Sequence, residues 1–383
     1  MSDALKNSRY RQILSWAGSG WSDQWAPPDL NEDARRERDR RRTQTTAADF
    51  GPEATGRQGR GLVMGRFLPP HRGHQYLVDV ARLACTKLTI VVAGGAADPI
   101  PVDARVAWLT EMAPDALVVA LSELGADGDL DLGKNAALRK KLVRLAKPDL
   151  FFSSEVYGAT IAGWLSARHV MVDPERTAVP ISGTRLREAP MENWRFLPAC
   201  VRPHYVKRVR LIGPESTGKS TLATKLAQHF GSVAVPECAR TLRRSAGRDL
   251  LPSDIQSIAH LQLASEDALA RQAERVLFCD TDLLSLRLWS ERLFGLCPAW
   301  IGAEAARRHA TTAAYALDLL LEPDVPFVGD PVLDEPDRRR QFFANCKTEL
   351  ERLPGPLVTI SGNWDQRFET ARAAVEKLLA GAR

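Results

Sequence analysis

A glycine-rich segment that ends in lysine and two hydroxyl residues, Gly213 to Thr221, carries the pattern G-x-x-x-x-G-K-S. An apolar run precedes it and a helical pattern follows it, which is the context in which this pattern forms a phosphate-binding loop. Gly213 and Gly218 permit backbone geometry in which N–H groups point at phosphate oxygens beside a helix N-terminus. Lys219 would neutralise charge on the β and γ phosphates, and the Ser220 hydroxyl would bind Mg²⁺. The segment predicts a nucleoside triphosphate site; the alternative is a glycine turn before a surface helix.

Acidic residues beside two later apolar runs are candidates for metal binding and proton transfer. The run 275–279 ends at Asp280, where a second acidic ligand for magnesium belongs. Asp280 and Asp282 can share the binding of metal-bound water and the activation of a substrate hydroxyl. Glu237, just beyond the run 233–235, is another candidate for the base or for a substrate hydroxyl. The sequence alone does not separate these three acids.

Two further segments, far apart in the N-terminal half, have the composition of a second phosphate site. The first, Gly65 to His74, places two histidines three residues apart at the start of a helical pattern, where they can donate N–H bonds to a triphosphate. The second, Ile181 to Arg187, supplies two hydroxyls and an arginine at another predicted helix N-terminus. Either segment alone is a weak signal, because a histidine near a helix start is more often a cap. Together, and in this order, they predict a nucleotide site.

The elements that must position these segments alternate between strands and helices. Apolar runs predict strands at 61–65, 87–93, 117–121, 149–153, 169–172, 206–212, 233–235, 275–279, 316–321 and 357–360. Helices are predicted between them, including 105–112, 135–146 and 367–379. Strands that alternate with helices form parallel sheets. The fold class is therefore α/β with two doubly wound parallel sheets, and we place the two domains at 61–203 and 204–383.

Length and composition fit two such domains. At 383 residues and 42.3 kDa the chain is too long for one ordinary core. Its 52 basic and 47 acidic residues give a net charge of +5, which mildly favours phosphate-bearing ligands without arguing for nucleic acid. Six cysteines without a C-x-x-C pair indicate neither a zinc site nor a disulfide framework. With no long apolar run and no signal segment at the start, we expect a cytoplasmic protein without a membrane partner.

Residues 1–60 do not have the pattern of a domain. Gly, Pro, Ser and Asp interrupt every apolar run, and 35–42 contains six arginines without an apolar stripe. We expect a largely disordered, arginine-rich extension. A weak nucleic-acid arm is the alternative, and no helix-turn-helix pattern supports it.

The chain from residue 61 to about 380 resembles the NadR family, which joins a nicotinamide mononucleotide (NMN) adenylyltransferase to a ribosylnicotinamide kinase. The residues that carry the resemblance are Gly65–His74, Pro99–Leu109, Ser153–Gly158, Val172–Arg176, Val179–Thr184, Trp194–Lys207, Gly213–Thr221, Asp280–Asp282, Leu288–Glu291 and Pro336–Arg340. Several independent motifs fall in the family's order. The resemblance implies a Rossmann-like nucleotidyltransferase domain followed by a P-loop kinase domain.

The resemblance also implies roles for individual residues. In the adenylyltransferase site, ATP would be held by His71, His74, Ser182, Thr184 and Arg187, with Gly65, Arg66, Phe67, Gly73 and Gly183 in the same loops. Trp108 would stack on the nicotinamide ring of NMN; the alternative is a core tryptophan. Arg105, one helical turn away, would contact the phosphate of NMN or pair on the surface.

In the kinase site, ATP would contact Gly213, Glu215, Ser216, Thr217, Gly218, Lys219, Ser220 and Thr221. Ser220 and Asp280 would bind Mg²⁺, and Asp280, Asp282 or Glu237 would activate the ribose 5′-hydroxyl. Arg338 and Arg339 belong to a basic segment that would close over ATP as a lid, or would form an exposed helical turn.

Three departures from the family pattern affect these expectations. Cys238 stands where the family usually has tyrosine, and Phe327 where it usually has tryptophan; both positions would face nicotinamide riboside. An aspartate- and glycine-rich stretch replaces an aromatic helix between 121 and 140, which would alter the mononucleotide pocket.

The resemblance predicts a bifunctional enzyme of NAD synthesis that uses ATP, nicotinamide riboside, NMN and NAD, and we expect a homo-oligomer. Two alternatives belong to other classes: a transcriptional regulator that senses NAD and ATP, and a P-loop kinase whose first domain only binds nucleotide. A third keeps both activities for another nucleotide, because the motifs specify ATP better than the acceptor.

Overall fold

The computed structural model of the chain describes residues 57, 59–95, 97–121, 136–311, 314–327 and 336–381. The chain forms two units, 1–56 and 57–383, and every element described below belongs to the second unit. The predicted disordered extension and the alternative nucleic-acid arm fall almost wholly in the first unit, outside the described residues. The aspartate- and glycine-rich stretch, 122–135, also lies outside them.

Five parallel strands form the first sheet, in the order β3-β2-β1-β4-β5. These strands are β1 (Arg60–Gly65), β2 (Lys87–Ala93), β3 (Leu117–Leu121), β4 (Leu150–Ser153) and β5 (Arg168–Met171). The helices that connect them are α1 (Arg72–Ala84), α2 (Val102–Met112), α3 (Ala136–Ala146) and α4 (Gly158–Trp164). Leu62 and Val63 of β1 are fully buried in clusters on opposite faces, so helices cover both faces of the sheet.

A connecting region leads from the first sheet to the second. It contains α5 (Gly183–Glu188), a 3₁₀ turn (Trp194–Phe196) and the short helix α6 (Arg202–Tyr205). Residues of this region share one hydrophobic cluster with the second sheet. Trp194 is only 2% exposed, and its Nε1 donates a hydrogen bond to the Ala273 carbonyl at 3.2 Å. The two sheets therefore meet through a common core, and a domain division at 203 stays a prediction.

The second sheet also has five parallel strands, in the order β10-β9-β6-β8-β7. Its strands are β6 (Lys207–Ile212), β7 (Val233–Val235), β8 (Val276–Asp280), β9 (Tyr315–Leu321) and β10 (Leu357–Ile360). Its helices are α7 (Lys219–His229), α8 (Cys238–Ala246), α9 (Ile255–Ala270), α10 (Leu283–Phe294), α11 (Ala299–His309), α12 (Pro336–Glu351) and α13 (Trp364–Ala380).

Strand β6 lies at the centre of this sheet and carries two kinds of buried residue. Val209 and Leu211 pack into the apolar core on one face. Arg208 and Arg210 alternate with them and are each only 2% exposed. Buried arginines in a central strand require buried acidic partners, which the site description below identifies.

The structure confirms the predicted fold class of two parallel α/β sheets. All ten predicted strands are present, and four of them, 87–93, 117–121, 233–235 and 357–360, have the predicted bounds. The other six differ by one residue at one or both ends. No helix in the described part of the chain has both the length and the apolar character needed to span a bilayer.

Candidate active sites

The order of the first sheet reverses between β1 and β4, so a crevice opens beyond their carboxyl ends. The loop after β1 leads to His71, the N-cap residue of α1, whose Nδ1 accepts a hydrogen bond from the His74 backbone N–H at 3.2 Å. The two imidazole rings stack with their centroids 3.7 Å apart. Phe67, in the left-handed region with a φ of 49°, meets the His74 ring edge-on at 4.9 Å. The structure thus brings the predicted histidine pair together as one packed unit.

Both imidazoles of this pair are neutral at physiological pH. Burial, reinforced by the Arg176 guanidinium, lowers the pKa of His71 to about 4. Burial and the charges of His71 and Arg176 hold the pKa of His74 well below its ordinary value. Because His71 Nδ1 accepts a hydrogen bond, the neutral ring carries its proton on Nε2, which can donate to a ligand. The Nδ1 atom of His74 is buried without a hydrogen-bond partner among the described residues.

The second predicted segment meets the first through an arginine. Ser182 caps α5 by accepting a bond from the Arg185 backbone N–H at 3.2 Å. Arg187 donates to the Leu68 carbonyl at 2.5 Å and to the Thr184 hydroxyl at 3.2 Å. Two segments more than 100 residues apart in sequence are therefore in contact.

Glycines keep this site compact. A Cβ atom at Gly183 would lie 3.3 Å from the Leu68 carbonyl oxygen, and one at Gly73 would lie 3.1 Å from the His71 ring. Gly65 ends β1 immediately before the loop. A side chain at Gly73 or Gly183 would therefore require its neighbour to shift by a few tenths of an ångström.

Arg105 lies inside the protein. Its side chain is 0% exposed, so the alternative of surface pairing is wrong, and the predicted contact with the NMN phosphate stays a prediction. Its guanidinium donates to the carbonyls of Arg66 at 2.6 Å and Ala93 at 2.9 Å, and to Asp98 Oδ2 at 2.7 Å. Asp98 also pairs with the Arg66 side chain. Arg105 therefore connects the loops after β1 and β2.

Trp108 lies partly buried on α2 and packs against the core shared by the two sheets. Its ring meets the His204 ring edge-on, with centroids 5.6 Å apart. This arrangement corresponds to the alternative of a core tryptophan, and the predicted stacking on nicotinamide stays a prediction.

Sequence reasoning assigned no role to Arg176, which the structure places beside the histidine pair. Its guanidinium lowers the pKa of both His71 and His74 and pairs with Glu155 Oε1 at 2.8 Å. Glu155 follows β4, on the other side of the crevice from the loop after β1. In the sequence, Glu155 and Arg176 each follow a predicted strand, and this position was the signal that could have selected them.

The loop after β6 has the backbone geometry expected of a phosphate-binding loop. Gly213, Ser216 and Gly218 have positive φ values of 151°, 57° and 84°. A Cβ atom at Gly213 would lie 2.6 Å from the Leu321 carbonyl oxygen, and one at Gly218 would lie 2.4 Å from the Trp364 ring. Gly218 is the N-cap of α7, so the loop ends at a helix N-terminus, which attracts anions.

Side chains of the loop contact its own backbone and the neighbouring helix. Lys219 Nζ donates to the carbonyls of Gly213 at 2.9 Å and Pro214 at 2.7 Å, and Thr217 Oγ1 donates to the Pro214 carbonyl at 2.9 Å. Glu215 accepts bonds from Trp289 Nε1 at 3.0 Å and from Arg292 at 3.1 Å. The Glu215 carboxylate therefore braces the loop against α10, and its predicted contact with ATP stays a prediction. Thr221, at the first turn of α7, lines a shallow depression beside Trp364.

Asp280 and Asp282 differ in their environments, although the sequence made them equivalent. Asp280 ends β8, is 3% exposed, and its Oδ1 has no hydrogen-bond partner among the described residues. Asp282 caps α10: its Oδ1 accepts bonds from the Ser285 backbone at 2.9 Å and hydroxyl at 2.7 Å, and its Oδ2 from Arg210 at 2.8 Å. Burial would raise the pKa of Asp282, but Arg210 and Ser285 outweigh it and lower that pKa. Both oxygens of Asp282 thus accept hydrogen bonds inside the protein, whereas Asp280 keeps one unpartnered oxygen, and a catalytic role for either acid stays a prediction.

Arg240, which sequence reasoning did not select, connects two predicted site residues. Its Nη1 donates to the Ser220 hydroxyl at 2.7 Å, and its Nη2 pairs with Glu237 Oε2 at 2.6 Å. Glu237 is the N-cap residue of α8, so Arg240 lies in the first turn of that helix. The spacing of three residues between Glu237 and Arg240 could have indicated their ion pair from the sequence. The contact between Arg240 and Ser220 could not be predicted in this way, because it joins α8 to α7.

Proteins of similar sequence identify the family to which this chain belongs. The chain is 30% identical over 351 residues to the trifunctional NAD biosynthesis/regulator protein NadR of Escherichia coli (strain K12), covering 84% of each chain. The chain belongs to the NadR family. It is also 30% identical over 295 residues to the protein of the same name from Salmonella typhimurium (strain LT2), covering 70% of each chain. Residues 208–367 match an AAA domain family.

Solved NadR structures have the same fold. A structure described as NadR protein in complex with NR aligns with a TM-score of 0.68 at 21% identity, covering 85% of this chain and 98% of that one. A second, in complex with NAD and AMP-PNP, aligns with a TM-score of 0.63 at 20% identity over the same shares of the two chains. Membership of the family rests on the sequence relatives, and the two-sheet fold is shared with these solved structures.

Two arginines that were predicted to contact ATP, Arg338 and Arg339, lie in the first turn of α12. Arg339 in α12 is 6% exposed, and its guanidinium lies 5.4 Å from the centroid of the Phe327 ring. Arg338 is exposed at the start of the same helix. Residues 328–335, which connect Phe327 to α12, lie outside the described residues, so closure of a lid over ATP stays a prediction.

The residues around the loop fit a magnesium ion. Mg²⁺ binds proteins through one or two carboxylates and completes its shell with substrate phosphates and water. Among the described residues no cluster of three or more His, Cys, Asp or Glu side chains could hold a metal ion alone. The buried Asp280 carboxylate with a free oxygen and the Ser220 hydroxyl form a sparse donor set, which suits an ion that arrives with a nucleotide.

Proposed function

We propose that this NadR-family chain phosphorylates nicotinamide riboside with ATP and then joins the resulting NMN to the adenylyl group of a second ATP, giving NAD and pyrophosphate. The observation that carries the proposal is the presence of two separate phosphate-binding centres on one chain. One is the buried histidine pair at the start of α1, and the other is the loop before α7. Their coexistence favours two transfer reactions over a single kinase.

In the adenylyl transfer, an NMN phosphate oxygen attacks the α-phosphorus of ATP and the bond to pyrophosphate breaks. No protein nucleophile is required, so the protein holds the two substrates in line and stabilises charge. The neutral imidazoles of His71 and His74 would donate N–H bonds to phosphate oxygens. Arg187, with Ser182 and Thr184, would balance the charge that develops on pyrophosphate.

In the kinase reaction, the ribose 5′-oxygen attacks the γ-phosphorus and the bond to the β-phosphate oxygen breaks. Lys219 and the backbone N–H groups of the loop would hold the β and γ phosphates. The proton of the hydroxyl would pass to a carboxylate, Glu237 or Asp280, because Asp282 is fully engaged by Arg210 and Ser285. Mg²⁺ on Ser220 and Asp280 would supply neutralisation of phosphate charge when bound.

Product analysis tests the proposal. The purified chain receives Mg-ATP with either nicotinamide riboside or NMN, and ADP, NMN, pyrophosphate and NAD are measured. We expect riboside to proceed to NAD through NMN, and NMN to give NAD and pyrophosphate. If neither compound reacts, the assignment of substrates is wrong.

Two variants separate the centres. Lys219→Ala should abolish phosphorylation of the riboside while NMN still gives NAD. His74→Ala or Arg187→Ala should abolish NAD formation while riboside still gives NMN, and the retained kinase activity shows that each variant is folded. If His74→Ala leaves NAD formation unchanged, the first sheet is only a nucleotide-binding module.

Cys238 and Phe327, which replace aromatic residues usual in the family, make a second result of the product analysis informative. If NMN gives NAD while the riboside gives nothing, the first centre keeps its proposed activity and the second acts on another acceptor. Restoring the family residues with Cys238→Tyr and Phe327→Trp should then raise riboside turnover, because aromatic faces attract the cationic nicotinamide ring.

A further inference from the structure

Arg240 occupies the position where the kinase site needs a metal ion and phosphate. Its guanidinium spans from the Ser220 hydroxyl, at 2.7 Å, to the Glu237 carboxylate, at 2.6 Å. The Arg240 side chain is 47% exposed, so it is not locked into a core. Both of its partners are residues that the proposed reaction would use for other purposes.

The contact with Ser220 would bring two positive charges to one oxygen if Mg²⁺ bound there. The hydroxyl has two lone pairs and could serve both, but the guanidinium and the metal ion would repel each other at such a separation. Binding of Mg-ATP would therefore favour movement of the guanidinium away from Ser220. Arg240 remains tied to α8, whose first turn faces the loop, so the displaced group stays beside the phosphates.

Other cations around the loop are held in fixed arrangements. Arg292 is paired with Glu215, and Arg367 donates to the carbonyls of Thr217 at 3.2 Å and Glu322 at 2.9 Å. Arg210 is buried between Asp282 and Asp318. Arg240 differs from these three because the ligands themselves would release it.

We propose that Arg240 is a catalytic residue of the kinase centre: when Mg-ATP binds, its guanidinium leaves Ser220 and donates N–H bonds to oxygens of the transferring γ-phosphoryl group. Glu237 keeps the guanidinium oriented through Nη2 during this movement. Arg240 forms no covalent bond; it stabilises charge on the group that passes from the β-phosphate oxygen to the acceptor. The inference deepens the proposed kinase activity and depends on ATP binding at the loop before α7.

Nucleotide binding tests this role independently of the acceptor. Calorimetric titrations compare Mg-AMP-PNP with Mg-ADP, and Lys219→Ala identifies the binding that belongs to the kinase centre. Arg240→Met should weaken Mg-AMP-PNP binding about 10-fold or more, as expected for charge-assisted hydrogen bonds, and should change Mg-ADP binding less than about 2-fold. Arg244→Met, an exposed arginine on the same helix, is the matched control and should change neither.

Activity provides a second measurement on the same variants. Arg240→Met should lower kcat for ATP-dependent phosphorylation by about 10³-fold, the scale of an arginine that contacts a transferring phosphoryl group. Arg240→Lys keeps the charge but loses the two-pronged geometry, so it should recover only part of this loss. NAD formation from NMN should be unchanged, because that centre lies on the other sheet.

Two outcomes would overturn the inference. Equal weakening of Mg-ADP and Mg-AMP-PNP binding in Arg240→Met would mean that Arg240 only braces Ser220 against Glu237. Unchanged binding of both nucleotides would mean that it does not contact the γ-phosphate. If nicotinamide riboside is not a substrate but the discrimination between the two nucleotides is present, the role of Arg240 stands and only the acceptor assignment fails.

Discussion

Replacing Arg210 with methionine tests the charge network behind the kinase centre. Arg210 donates to Asp282 Oδ2 and to Asp318 Oδ1, both at 2.8 Å, and its guanidinium lies 4.6 Å from the centroid of the Tyr315 ring. The Arg210 side chain is 2% exposed. Arg210→Met keeps most of the side-chain volume but leaves two buried carboxylates without their cation.

The magnitude follows from these contacts. Removing one partner of a buried ion pair costs about 3–5 kcal/mol, because the remaining charge stays out of water. Loss of the contact with the Tyr315 ring adds about 0.5–2 kcal/mol. Asp282 keeps its two bonds from Ser285, which limit the total. We expect the free energy of unfolding at pH 7 to fall by about 4 kcal/mol, a large part of the roughly 5–15 kcal/mol that stabilises a typical protein.

The loss of stability in Arg210→Met should depend on pH in one direction only. Burial raises the pKa of Asp318 despite Arg210, whereas Arg210 and Ser285 lower that of Asp282 despite burial. Without Arg210 both pKa values rise above those of the unfolded chain. The folded variant then takes up protons that the unfolded chain does not, so its stability recovers as the pH falls. The difference in the free energy of unfolding between the protein and Arg210→Met should be smaller at pH 5 than at pH 7, by about 1 kcal/mol or more.

Urea denaturation, followed by tryptophan fluorescence and circular dichroism at both pH values, measures these free energies. Arg307→Met removes an exposed i,i+3 pair with Glu304 and serves as the control; it should have no measurable effect. A loss below about 1 kcal/mol at pH 7 in Arg210→Met, or a loss that grows as the pH falls, would refute the buried-pair reasoning.

Three other predictions concern the shared core and the two nucleotide centres. Trp194→Ala should lower the free energy of unfolding by about 3–5 kcal/mol in urea denaturation, because it leaves a cavity in the shared core and removes the hydrogen bond to Ala273. Trp194→Phe should lower it less, because it removes the hydrogen bond but keeps an aromatic ring in the core. Gly218→Ala should weaken Mg-ADP binding about 10-fold or more in titrations, because φ is 84° and the added Cβ would lie 2.4 Å from the Trp364 ring. The pKa of His71 is about 4 in the folded protein and 6.5 in the unfolded chain, so the unfolded state gains the proton first as the pH falls and the folded state loses stability. His71→Asn removes this group and should reduce the loss of stability between pH 7 and pH 5 by about 2 kcal/mol, measured by urea denaturation.

The fold could be predicted from the sequence because its signals are local. Continuous apolar runs such as 87–93 mark strands buried on both faces, and the glycine pattern from Gly213 to Ser220 marks a turn with few alternatives. The histidine pair was also local, since an N-cap and the N–H three residues later always lie together.

The contacts that the sequence could not predict depend on burial and on distant partners. Arg105 and Asp282 carry charges of the expected kind near the expected motifs, and both form ion pairs inside the protein. Asp282 could have been recognised as a helix cap from Asp282-Leu-Leu-Ser285. Arg240 was missed because its partner Ser220 lies 20 residues away on another helix.

Buried charge has a specific position in this fold. Arg208 contacts the Pro203 carbonyl at 3.4 Å and Glu266 at 3.1 Å, and Glu266 accepts a bond from the Tyr315 hydroxyl at 2.7 Å. The Tyr315 ring lies against Arg210, whose partner caps the helix after Asp280. Polar contacts thus run from the connecting region to the strand end that would hold the metal.

Apolar packing would fill the same space, and replacing buried ion pairs by apolar residues is often neutral or stabilising. Stability alone therefore does not explain why the central strand keeps two arginines. Ion pairs are directional, however, and Thr281, between the two acids, has a left-handed backbone with a φ of 79°. Holding Asp282 on Arg210 and Ser285 fixes this turn, and with it the direction of the unpartnered Asp280 Oδ1. The charges on β6 are thereby linked to the proposed metal ligand at the carboxyl end of β8.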